Sequence, residues 1–165
     1  MLTQTGCLLG ETPEYQSRRQ TPPLVVANGI TPAPGRLIRA RVSEKVEFTV
    51  NFRSEDAGET MSFLLWRNYQ SDQAFYIDAG FVPPSSNLYE AEGDPTQALQ
   101  TYTFGASDIG CNSYTLLLTH TGNLNGIKIL PGTENDVASV TWWAVVEGLN
   151  GEPGDILVDD CGGVQ

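Results

Sequence analysis

Apolar and polar residues alternate one by one through much of this chain. Val46, Phe48, Val50 and Phe52 are apolar, and Glu47, Thr49 and Asn51 between them are polar. A period of two puts the apolar set on one side of an extended strand, so the segment reads as half-buried β-structure. Met61, Phe63 and Leu65 repeat the pattern against Ser62, Leu64 and Trp66. Further strands are predicted over residues 74–82, 98–104, 113–121 and 137–146, with short ones over 127–130 and 156–158. Breakers separate them: the polar turn 54–59, the Pro83-Pro84 stop, the long polar loop 83–97, and Asn125-Gly126, a pair suited to positive φ. Helical charge spacing occurs only over 90–99, where Gly93 and Pro95 interrupt it. Seven to nine short strands at regular spacing predict an all-β fold. The best match is an immunoglobulin or fibronectin-III type sandwich of antiparallel strands, with a jelly roll or small barrel as the alternative.

The N-terminal 35 residues break this rhythm. They hold half of the chain's prolines, among them Pro22, Pro23, Pro32 and Pro34. Each proline fixes φ and removes a donor, so neither a helix nor a central strand can run through them. The expected organisation is an extended arm over 1–35 and a sandwich over 36–165. Leu24, Val25 and Val26 are too apolar for a linker that stays in water. They are expected to dock as an extended segment on the body or on a second subunit, covering a sheet edge or an outward-facing tryptophan.

Length and charge narrow the function classes. With 165 residues the chain suits one domain with one core. The net charge is −11, unevenly placed: residues 1–45 hold six basic and three acidic groups, the remainder three and seventeen. So acidic a body repels phosphate backbones and argues against nucleic acid as a partner. No stretch approaches the roughly 20 apolar residues that span a bilayer. Residues 1–6 do not supply the apolar stretch of a secretory signal.

Little in the chain reads as catalysis. His120 is the sole histidine, there is no G-x-S-x-G, and a histidine ending an alternating face reads as a strand-end residue. Cys7, Cys111 and Cys161 lack metal-ligand spacing. Acids gather at Glu90, Glu92 and Asp94 and again at Asp155, Asp159 and Asp160, where a loop calcium site is the alternative to simple solubility. No cofactor and no catalytic residue is assigned. Trp142 and Trp143 are adjacent on a strand, so they face opposite ways. One of them must lie off the core, and it is the best binding-site clue here.

Gly6-Cys7, followed by a Pro-rich tether, resembles a bacterial lipoprotein maturation site, where the cysteine receives lipid. Cys7 as a free thiol or a disulfide partner is the alternative. Together with the runs at 7–15, 20–23 and 53–56, the Cys-bearing strand entry at 108–120 and the Trp-rich strand start at 136–143, the chain resembles envelope lipoproteins of myxobacteria and related bacteria that carry one Ig-like domain. The resemblance implies an envelope or extracellular location, a non-enzymatic role, a lipid anchor at Cys7 and a Cys111–Cys161 pair. Cys111 before one strand and Cys161 after the last fit such a bridge, with buried thiols as the alternative. The expected function is a structural or interaction module working through protein contacts or self-assembly. The alternative is a carbohydrate-binding module using the exposed tryptophan and acidic loops, with or without calcium.

Overall fold

The computed structural model describes residues 21–54, 59–83, 95–148 and 161. Their strands are β1 (Leu24–Thr31), β2 (Ile38–Arg41), β3 (Lys45–Arg53), β4 (Met61–Arg67), β5 (Phe75–Val82), β6 (Thr96–Thr103), β7 (Gly110–His120), β8 (Leu124–Asn125), β9 (Lys128–Ile129) and β10 (Val137–Glu147). Three 3-10 turns lie between them, and no α-helix occurs among the described residues. The strand expected over 156–158 lies outside the described residues.

Two sheets form the sandwich. One is ordered β1-β3-β6 and the other β2-β10-β7-β4-β5; β8 and β9 make a separate small hairpin. The chain crosses between sheets from β1 to β2, from β2 to β3, from β3 to β4, from β5 to β6 and from β6 to β7. This is the Greek-key path of an immunoglobulin-type sandwich, and it decides against the jelly roll and the barrel. The N-terminal segment serves both sheets. β1 lies antiparallel to β3, with Leu24 opposite Arg53 and Val25 opposite Phe52. β2 crosses over and runs parallel to β10, with Ile38 opposite Ala144. All other pairs are antiparallel, as expected. The parallel pair arises because the chain, having left one sheet, enters the other alongside its last strand.

The inward residues are those the alternation selects. Phe48, Val50 and Phe52 from β3 meet Phe63 and Leu65 from β4, and all are buried. Tyr114, Leu116 and Leu118 from β7 and Val140, Trp142, Ala144 and Val146 from β10 complete this layer. Phe48 and Tyr114 stack across the two sheets with ring centroids 5.6 Å apart, and Trp142 lies 4.9 Å from Phe48. Aromatic packing thus joins the facing central strands where antibody domains place a cystine.

Candidate functional site

The outer face of the five-stranded sheet carries the residues that alternate with this core. Register puts Ser113 on β7 opposite Trp143 on β10, and Thr115 opposite Thr141. The two threonine hydroxyls lie 3.0 Å apart. With Ser139 they line the side of a groove of about 680 Å3 that is open to solvent. Trp142 is 1 % exposed within the core, whereas Trp143 is half-buried and lines the groove.

The turn between β4 and β5, residues 68–73, forms the opposite rim. Its shape comes from Asn68. The Asn68 amide donates to the Ser113 carbonyl at 2.8 Å, and Asn68 Oδ1 accepts from the Ser113 amide at 3.0 Å. Asn68 Nδ2 donates to Asn112 Oδ1 at 2.9 Å. Ser71 Oγ donates to the Asn68 carbonyl at 2.7 Å and accepts from the Gln73 amide at 3.1 Å. Asn68 and Gln70 both adopt positive φ, 52° and 63°. Asparagine tolerates this region; glutamine rarely enters it. Tyr69 packs on Trp66, centroids 5.8 Å apart. Among the described residues, Asp72 is the sole charged residue of the lining, and no basic side chain joins it.

The Cys111–Cys161 disulfide touches the groove through Cys111. Cys111 lines it, Cys161 is buried, and their Cα atoms are 5.4 Å apart. The bond fastens the chain after β10 to the start of β7.

Two buried polar clusters hold the ends of the sandwich. Asp108 is fully buried and accepts from Arg67 Nη1, from the Tyr102 hydroxyl at 2.7 Å and from the Gly105 amide at 2.7 Å. Burial pushes the Tyr102 hydroxyl well above the usual tyrosine range, and its hydrogen bond to Asp108 adds to this. Burial and then the Asp108 charge do the same to Tyr114. At the other end His120, the last residue of β7, is fully buried with Nδ1 2.6 Å from Asp136 Oδ2. Thr119 Oγ1 donates to the Asp136 carbonyl at 2.8 Å, and Asn123 also donates to the Asp136 carboxylate. Shut away from solvent, this pair anchors the excursion between β7 and β10.

Leu24, Val25 and Val26 lie in β1 and cover the edge of β3. Leu24 is 68 % exposed, while Val25 packs against the core. This places β1 on the sheet opposite Trp143; the tryptophan that the N-terminal segment meets is Trp142, through Pro32. Cys7 and the two acidic groups at 90–94 and 155–160 lie outside the described residues. The turn 68–73 and the Asp108 cluster were not anticipated. The polar run Asn68-Tyr69-Gln70-Ser71-Asp72 between two strands is the signal that could have marked this turn, but nothing local ties it to Ser113.

No protein-family model matches the chain, and no curated protein matches it.

Proposed function

We propose that this protein is a non-enzymatic interaction module of the bacterial cell envelope, acting through contacts on the outer face of its five-stranded sheet. The observation that carries this reading is the groove. It is built on two adjacent strands and a hydrogen-bonded turn, so its polar side chains are presented from fixed positions. The Cys111–Cys161 disulfide supports an oxidising compartment, because such bonds persist mainly outside the cytosol. The resemblance around Cys7 supports attachment through lipid.

A photo-crosslinking side chain at Thr141, exposed on the groove face, tests the face. The control position is Thr101, exposed on β6 of the other sheet. In the native host's envelope fraction Thr141 should label a discrete species that Thr101 does not. Equal labelling from both positions, or none from Thr141, would overturn the reading.

A further inference from the structure

We infer that the groove beside Trp143 is a binding site for a neutral carbohydrate. The inference rests on the proposal that this face makes the contacts, and it names the chemistry of what binds. Trp143 is half-buried and offers an aromatic surface to the groove. The face of an aromatic ring is electron-rich, and the axial C–H groups of a pyranose carry partial positive charge, so the two stack favourably. Around it the lining supplies hydroxyls from Ser113, Ser139 and Thr141 and amides from Gln70 and Gln73. These are neutral groups able both to donate and to accept, as the vicinal hydroxyls of a sugar require.

Three further observations converge on this ligand class. First, among the described residues the side chains of Gln70, Asp72 and Gln73 make no hydrogen bond, so their polar ends are unspent, whereas Asn68 and Ser71 beneath them are committed to shaping the turn. Second, the positive φ of Gln70 places a non-glycine residue in a costly conformation at the rim, the kind of strain that gathers at ligand sites. Third, among the described residues no basic side chain lines the groove, and the net charge is −11. A phosphorylated or carboxylated ligand would find no counter-charge and would be repelled. The volume falls within the roughly 300–1,000 Å3 of small-ligand sites, and the hydroxyls and amides set beside Trp143 suit a polyol, which has both polar and apolar faces.

The full chain, with its disulfide intact, should be titrated with neutral hexasaccharides: β-1,4-linked glucose, xylose, mannose and N-acetylglucosamine, and α-1,4-linked glucose. Hexagalacturonate serves as the acidic control. Calorimetry and tryptophan fluorescence give the readout. At least one neutral sugar should bind and shift the tryptophan emission, and hexagalacturonate should bind at least tenfold more weakly. Trp143→Ala should lower the affinity at least tenfold. Because Trp143 is half-buried, the exposed Gln73→Ala serves as the second variant, lowering affinity severalfold at an unchanged melting temperature. Failure of every neutral sugar, tighter binding of the acidic one, or affinity unmoved by both variants overturns the inference. A peptide from a display library that seats on Trp143 while every sugar fails overturns it too. Discrete crosslinking from Thr141 in that case leaves the contact-face reading standing.

Discussion

The indole Nε1 of Trp142 donates to the carbonyl of Pro32 at 2.6 Å, joining residues 110 positions apart. One side chain therefore fills the core and also fixes the segment that carries the chain from β1 to β2. Trp142→Phe keeps much of the volume but leaves that carbonyl without its donor, and should cost about 1–3 kcal/mol. Trp142→Ala adds a cavity, for about 3–5 kcal/mol. Urea denaturation of the two variants beside the parent measures both. Equal stability of Trp142→Phe and the parent would mean that the hydrogen bond holds nothing.

The disulfide spans 50 residues of sequence. In the chain-entropy model, removing a loop of that size costs about 4 kcal/mol. Cys161→Ser should lower the denaturation midpoint accordingly, and the parent under reducing agent should fall to match it. Intact-mass analysis with alkylation should find Cys111 and Cys161 protected until reduction.

Asp108 is a fully buried acid whose partner Arg67 is itself mostly buried. Asp108→Asn would leave the guanidinium uncompensated, at a cost of about 3–5 kcal/mol. The cluster also fixes an alkaline limit. Tyr102 and Tyr114 are raised above the ordinary tyrosine value of 10.0 in the fold, so the folded state holds those protons while the unfolded chain releases them. Stability is therefore complete below pH 10 and falls as pH rises above it, by up to about 1.4 kcal/mol per pH unit for the buried Tyr114 and by less for the partly exposed Tyr102, which solvent screens. Phenolate absorbance should appear together with unfolding, and Tyr102→Phe should flatten the alkaline slope.

Gly80 faces the ring of Phe63 across β4 and β5. A Cβ placed there would lie 2.2 Å from the Phe63 ring. Gly80→Ala should force that buried ring aside and cost about 1–3 kcal/mol, read by thermal melting. Gly122→Ala, where nothing lies within 4 Å, is the control and should melt close to the parent.

Alternation made β3, β7 and β10 legible, because each keeps a strict apolar side toward one core. The same rule separated Trp142 from Trp143 without saying which was which. β2 escaped notice because four residues are too few for a period to show, and its partner lies about a hundred positions away. The groove was hidden for a related reason. It is made of the polar side of β7 and β10, which alternation assigns to water, and of a turn whose left-handed residues are Asn68 and Gln70 rather than glycine. Asp108 looks like any loop acid until Arg67 arrives from 41 positions upstream. Pairings across sheets depend on the path of the chain, and a local pattern does not encode that path.

The parallel pairing of β2 with β10 has a mechanical consequence. Pulled apart from the N-terminal side of β2 and the C-terminal side of β10, two parallel neighbours slide along each other. Their hydrogen bonds are then loaded together in shear instead of being peeled off one at a time. The Cys111–Cys161 link adds a second path for tension, from the chain beyond β10 directly into the base of β7. A tether drawn taut across this domain would meet a clamp at one edge of the larger sheet and a covalent bypass into its middle.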